Sequence, residues 1–413
     1  MNRFLRDLDT DGTGGGQETP PIIQPVQIVT IKKKTPLFKG DEQANSIEKI
    51  EIEENGFSLV SQKDLYQIGD KAVYIQPDFS LSDIPLFDSF IRPFGESKKS
   101  KLGSNFRIRA VKFNLHTGDL EPTYSVGILL PLSEVNEYLL SSKPEGKTLT
   151  ERLGITKWEE PDNNGTGGLK TNGGKQYPSG VYKTDETNIN NLWGHIENKI
   201  GYPVHFIGSE KVDGSSITLI TDDSKTNVGS RTYIKTPTIV KVTGHRIPTI
   251  WERIKLFFGV KIDLLIKEEV ENDDQFIVLA KPYITTIEEK VKEGKVPNKF
   301  ILRGEGNGQS WKGSGNKNNP HSKDVANIIF YGADNYENGI AVKADETTFQ
   351  SYMEVLGFNR CTVIFDKIFN SREEIENECK EYFKTHLIEG IVVRTPDSKF
   401  SAKIMSPEYD SKK

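Results

Sequence analysis

Cysteine is scarce in this chain: Cys361 and Cys379 are the only two among 413 residues. Two cysteines support neither a disulfide framework nor a cysteine-rich zinc site, so a reducing compartment is expected. Long apolar runs are missing as well. No stretch approaches the ~20 uninterrupted apolar residues of a membrane span, which excludes an integral helical membrane protein. Met1-Asn2-Arg3-Phe4-Leu5-Arg6 opens without an apolar core segment. No secretory leader is therefore expected, location should be cytoplasmic or nuclear, and no membrane partner is anticipated. Charge bias is lacking too. With 54 basic and 59 acidic residues the formal net charge is −5, so bulk charge does not announce a nucleic-acid partner and any such signal must be local.

What is present divides the chain. Residues 1–36, with Gly14-Gly15-Gly16 and Pro20-Pro21 and closing near Lys32-Lys33-Lys34, read as a disordered, solvated tail rather than a nucleic-acid arm. From 37 to 140 short β-rich runs alternate with turns: Phe57-Ser58-Leu59-Val60, Ala72-Val73-Tyr74-Ile75, Phe106 to Val111 and Ser125 to Leu130, with Asn55-Gly56 and Gly69-Asp70 between. That pattern suits a small barrel better than an open α/β sheet. Within it Arg92, Lys98, Lys99, Lys101, Arg107, Arg109 and Lys112 face a single acid, Glu96. Such local excess is expected to meet phosphates, the alternative being a solvated strand face. Residues 141–180 hold Asn163-Asn164-Gly165-Thr166-Gly167-Gly168 and Gly173-Gly174 and are expected to be a linker. Residues 181–413 mix strands and helices, giving an α+β class. Ser371 and Glu374 predict a helix start, with Ile375, Cys379, Tyr382 and Phe383 on its inner face, so Cys379 should be a core thiol.

Three features of that last part belong together: Glu210-Lys211-Val212-Asp213-Gly214, Arg303-Gly304-Glu305 followed by Phe330-Tyr331, and Glu389-Gly390-Ile391-Val392-Val393-Arg394 with Lys403 fourteen residues after Glu389. A lone Lys-x-Asp-Gly is weak; the ordered set is not. A lysine attacks only when neutral, and about 0.1% is neutral near pH 7.4 at its reference pKa. Neighbouring positive charge, from a metal or from Arg231 and Lys403, would favour the free amine. Asp213, Glu305 and Glu389 are acids in apolar strand contexts and suit a hydrated Mg²⁺. Lys403 would clamp a phosphoryl group passing to Lys211. Tyr331, in preference to Phe330, offers a flat face to a base.

With these motifs the chain resembles the covalent nucleotidyltransferases, the ATP-dependent RNA and DNA ligases and mRNA capping enzymes. Lys211-Val212-Asp213-Gly214 looks like the lysine-nucleotide motif, Gly229-Ser230-Arg231 like the next, and the Glu305, Glu389 and Lys403 segments like the later ones. Only ten residues follow Lys403, where DNA ligases and capping enzymes place an OB-fold. Ile68 to Asp78, Val126 to Leu132, Leu153 to Glu159 and Lys183-Thr184-Asp185-Glu186 instead resemble the nick-sealing RNA ligases whose OB-fold comes first. The resemblance implies an N-terminal OB-fold joined to a nucleotidyltransferase (ATP-grasp-like) domain of antiparallel sheets and helices. It implies RNA 3′-OH/5′-phosphate sealing through lysine-AMP, with ATP and Mg²⁺ or Mn²⁺ as cofactors. Glu210, Lys211, Gly214, Arg231, Glu305, Phe330, Tyr331 and Lys403 would hold ATP, and Asp213, Glu305 and Glu389 the metal through water. A monomer acting on nicked duplex RNA or an RNA/DNA hybrid is expected. Asn188 stands where relatives usually carry arginine. The alternatives are a GTP-using capping-type guanylyltransferase and a non-catalytic nucleic-acid binder.

Overall fold

Apolar residues alternate with solvated ones along Val26–Lys39, and this pattern builds the first sheet. The computed structural model describes residues 24–92, 102–158, 174–178, 180–181, 185–231, 233–261, 263–311 and 318–412. In it Val29, Ile31 and Leu37 are buried, Lys33 is exposed and lies 3.7 Å from Glu51, and Lys34 is mostly buried against Glu48 at 3.1 Å. The lysine run is therefore part of a paired strand, which corrects the expectation of a tail through residue 36. Residues 1–23 lie outside the described residues.

The sheet is antiparallel, in the order Ser58–Gln62, Glu42–Ile52, Val26–Lys39, Lys71–Ile75, Ile128–Pro131. Its outer edges are drawn together: the Val60 amide donates to Ser125 Oγ at 3.0 Å and the Val126 amide to the Ser58 carbonyl at 3.0 Å. Leu153 and Ile155 are buried in the same unit against Val73, Ile75 and Phe87. A capping box of Thr148 and Glu151 starts the short helix before them. The expected linker at 141–180 thus begins with packed structure through about residue 157, and residues 159–173 lie outside the described residues.

Two further large antiparallel sheets carry most of the rest. Seven strands run in the order Gly174–Lys175, Ile234–Lys235, Lys225–Gly229, Ser215–Asp222, Phe300–Asn307, Asn327–Glu337, Ile340–Lys343. The helices Gln275–Lys292 and Glu346–Leu356 cover this sheet through Ile287, Phe349 and Met353 against Leu219, Phe300 and Phe330. Four strands run in the order Val363–Phe369, Val204–Lys211, Gly390–Arg394, Ser401–Met405. Their cover is the helix Arg372–Thr385, where Ser371 accepts from the Glu374 amide at 3.3 Å as its sequence predicts. Cys379 is 1% exposed in that core, and burial pushes its thiol up to about 12, so it is inert packing.

Candidate active site

Lys211 ends a strand of the four-stranded sheet and Ser215 begins one of the seven-stranded sheet, so Lys211-Val212-Asp213-Gly214 is the crossing between the two sheets. Gly214 is needed there by close approach. A Cβ at this position would stand 2.3 Å from the Gly306 carbonyl oxygen and 2.9 Å from Glu305 Cγ. Removing the side chain lets the strand carrying Glu305 lie directly over the motif.

Pairing across the four-stranded sheet sets Lys211 opposite Gly390, and this brings Glu389 onto the amine. Lys211 Nζ donates to Glu389 Oε2; the carboxylate is nearly buried and the lysine about one-quarter exposed. Asp213 is buried. Its Oδ2 accepts from the Tyr409 hydroxyl at 2.8 Å, and its carbonyl accepts from Asn319 Nδ2 at 2.6 Å. Burial and the adjacent Asp213 carboxylate hold the Tyr409 phenol far above its ordinary range, so it remains a donor.

Lys403 comes from the next strand, opposite Val392. Its Nζ lies 3.7 Å from Asp185 and 3.9 Å from Asp78, the latter contributed by the N-terminal unit. Arg107 donates to Asp78 at 2.6 Å and lies 3.9 Å from Asp410. Asp185 is also held by Lys157 and by Arg231, the latter at 3.3 Å. Burial by itself would raise the carboxyls of Asp78 and Asp185. Lys403 and the flanking cations outweigh it and hold both below the ordinary aspartate value. Cations and carboxylates from both halves of the chain thus converge beside the Lys211 crossing.

No family model matches the chain. A curated protein, glucose N-acetyltransferase 1 of Aspergillus fumigatus, is 28% identical over 166 residues, 40% of this chain and 37% of that one. The chain therefore spans little more than a third of that relative. Solved structures match far more of it. A Naegleria gruberi RNA ligase with PPi superposes with a TM-score of 0.63 at 22% identity, covering 94% of this chain and 98% of that one. Mutants of the same ligase superpose similarly: one with ATP and Mn at 0.62, 21% identity and 93% and 97% coverage, and one with AMP and Mn at 0.62, 21% and 94% and 98%. The chain has the fold of an RNA ligase.

Within this ligase fold the remaining expected residues fall into two groups. Glu305 is half-buried on the strand opposite Ser216. Tyr331 is half-buried, with the Arg394 guanidinium 5.9 Å from its ring, in a cavity also lined by Glu186 and Lys343. Phe330 is a correction: it is fully buried, stacked on Phe358 at 5.2 Å, because adjacent residues of a strand face opposite sides. Glu210 is buried and bonded to His321 Nε2 at 2.9 Å, so it positions the loop after residue 318 rather than opening to solvent. That hydrogen bond, with Asp324 on the other ring nitrogen, raises the His321 pKa despite burial.

Among the described residues, three members of the expected phosphate-facing patch lie against acids. Arg92 pairs with Asp83 at 2.6 Å and Asp88 at 2.7 Å, and Lys112 lies 3.7 Å from Glu408. Arg107 is nearly buried, with its guanidinium 4.1 Å from the Trp158 ring. It belongs to the seam between the halves, not to a nucleic-acid surface. Arg109 is half-buried, and Lys98, Lys99 and Lys101 lie outside the described residues.

Among the described residues, no three His, Cys, Asp or Glu side chains are placed to ligate one metal ion directly. Asp213 and Glu389 are engaged by Tyr409 and Lys211. Hard oxygen donors already engaged this way fit a hydrated divalent cation reached through its waters. Sequence reasoning missed Asp78, Tyr409, Asn319 and His321 as site residues. Only Asp78 lay in a quoted motif, and nothing in its neighbours marks it as a partner of Lys403.

Proposed function

We propose that the chain is an ATP-dependent RNA ligase that joins 3′-OH and 5′-phosphate ends, acting on nicks in duplex RNA or an RNA/DNA hybrid. The observation carrying this reading is the Lys211 amine at the sheet crossing, held by Glu389 and followed two residues later by the buried Asp213. The likeness in fold to an RNA ligase solved with PPi, with ATP and with AMP supports it.

Lys211 Nζ is held on Glu389, so the pair must open and the amine must be neutral before the nitrogen can attack. Glu389, already in contact, is placed to take the amine's proton. A P–N bond then forms at the ATP α-phosphorus as the P–O bond to pyrophosphate breaks. Lys403 faces the departing charge once the triphosphate displaces Asp78 and Asp185 from it. The AMP passes to a 5′-phosphate, and the neighbouring 3′-OH expels it to seal the strand. A bound Mg²⁺ or Mn²⁺, reached through water by Asp213, Glu305 and Glu389, would add positive charge at the α-phosphate.

The same reading makes the N-terminal sheet an OB-type barrel. Its support is the strand order, in which Val26–Lys39 pairs with both Glu42–Ile52 and Lys71–Ile75, together with the bonds that draw its edges together. The division falls between about residues 158 and 181, in a monomeric, intracellular protein. The test is incubation with α-labelled ATP or GTP and Mn²⁺, followed by denaturation. ATP label retained on wild type and lost in Lys211→Ala supports the proposal. Retention of GTP label alone assigns capping-type chemistry, and no retained label removes the proposal.

A further inference from the structure

The segment between Thr238 and Glu271 forms a projection of its own. Strands Thr238–His245 and Leu265–Glu271 pair antiparallel, with Thr238 opposite Glu271 at the base and His245 opposite Leu265 near the tip. The tip carries the helix Ile250–Phe257. On that tip Ile247, Ile250, Trp251, Phe257 and Phe258 are each at least 75% exposed. Ile250 and Phe257 stand at i+7, two helical turns apart, and so share one side, with Trp251 next to Ile250 and Phe258 just past the helix end. The two phenylalanine rings meet edge to face at 5.5 Å. Large apolar side chains grouped this densely in the open mark an interaction site.

Charge indicates what covers it. Arg246 and Glu252 neutralise each other at 2.6 Å, and Asp263 is taken by Lys267. Arg253, Lys255 and Lys261 remain exposed around the aromatic side chains, in no ion pair among the described residues. The acids of the projection, Glu268, Glu269 and Glu271, lie toward its base. The tip is thus apolar and cationic, the stem acidic. Nucleic acid would match the cations, but Ile247 and Ile250 have no flat face on which a base could stack. Exposed Trp and Phe side chains flanked by Arg and Lys match the interface of an anionic bilayer, where rings enter the boundary and cations meet lipid phosphates.

We propose that the 238–271 projection seats the protein on anionic lipid surfaces, with Trp251, Phe257 and Phe258 entering the headgroup–acyl boundary and Arg253, Lys255 and Lys261 facing lipid phosphates. Among the described residues no helix is long and apolar enough to cross a membrane, and interfacial seating needs none. The sequence expectation of no membrane partner rested on the lack of spanning segments and of a secretory leader. This inference is independent of the ligase chemistry.

The experiment is co-sedimentation of the full chain with phosphatidylcholine vesicles, with and without phosphatidylserine. Binding should require phosphatidylserine and weaken with salt. Each of Arg253→Glu, Lys255→Glu and Lys261→Glu should lower it at least about fivefold, from the cation lost near the surface. Trp251→Ser with Phe257→Ser and Phe258→Ser should abolish it. All these side chains are exposed, so unchanged melting is expected and serves as the folding control. A second variant, with residues 239–270 replaced by a short Gly-Ser turn across the paired base, should also lose vesicle binding. Absence of vesicle binding by wild type overturns the proposal. So does equal binding by the triple-serine variant, or a patch whose removal changes only oligomeric mass or RNA affinity.

Discussion

Arg107 lies at the seam, and its removal tests whether the N-terminal unit completes the site or only presents substrate. In Arg107→Ala, Asp78 loses a 2.6 Å donor and keeps Lys403 at 3.9 Å. Breaking one side of a buried pair costs about 3–5 kcal/mol. Asp78 is one-third exposed and retains one cation, so about 1–3 kcal/mol is the appropriate share. The lost guanidinium contact with Trp158 adds about 1 kcal/mol. At about 2–4 °C per kcal/mol for a unit of 150–250 residues, melting should fall by roughly 5–15 °C. Labelling by ATP should fall with it, on the order of tenfold or more, because Asp78 is then free to draw Lys403 away from its position. Asp78→Ala added to Arg107→Ala should recover part of the stability, since the orphaned carboxylate is gone. The assays are thermal unfolding and lysine-AMP labelling on the same preparations. If Arg107→Ala melts and labels as wild type and loses only affinity for nicked duplex, the seam is a substrate clamp and this reasoning fails.

Lys403→Ala should depress labelling by about 100-fold or more, and Lys403→Arg should restore only part, since a planar fork does not reproduce a compact ammonium; wild-type labelling by the alanine variant would make Lys403 a bystander. Lys211→Ala should lose labelling yet seal RNA whose 5′ end is already adenylylated, which a gel assay on such RNA reads directly. Tyr409→Phe removes the donor to Asp213 and should raise the Mn²⁺ concentration needed for half-maximal labelling, with little change in ATP KM. The stability cost of Asp78→Asn should be full near neutral pH and shrink as pH falls below 3.8, the ordinary aspartate value, because the native carboxyl is held lower than that. The Glu210–His321 tie has the opposite sign. Its native pKa is raised above 6.5, so its contribution is full below that value and lost as pH rises through the native one, as paired melts of wild type and His321→Gln would report.

Contiguous features were legible in the sequence. The Lys211 motif, the Ser371 helix start and the buried Cys379 each follow from a few neighbouring residues. What escaped depends on distant partners. The lysines at 32–34 read as a tail because Glu48 and Glu51, which pair with two of them, lie on another strand. Arg107 looked like a phosphate ligand because its carboxylates, Asp78 and Asp410, come from positions far from it in sequence. Phe330 and Tyr331 could be separated only by strand alternation, which already favoured Tyr331. Tyr409 carried no signal. A tyrosine in a short polar segment is ordinary until a buried carboxylate is found against it.

The placement of the Lys211 strand also governs how the protein is made. Both its sheet neighbours, Val363–Phe369 and Gly390–Arg394, come much later in the chain, and Glu389 is 178 residues beyond the lysine. At about 5–20 residues per second of synthesis, on the order of 10–35 seconds pass before those partners emerge. During that interval an apolar strand with two open edges is exposed to every other nascent chain nearby. The Lys211–Glu389 pair is therefore assembled late in synthesis. Soluble yield should depend more on slowed synthesis or chaperone cover over this interval than on the stability of the finished fold.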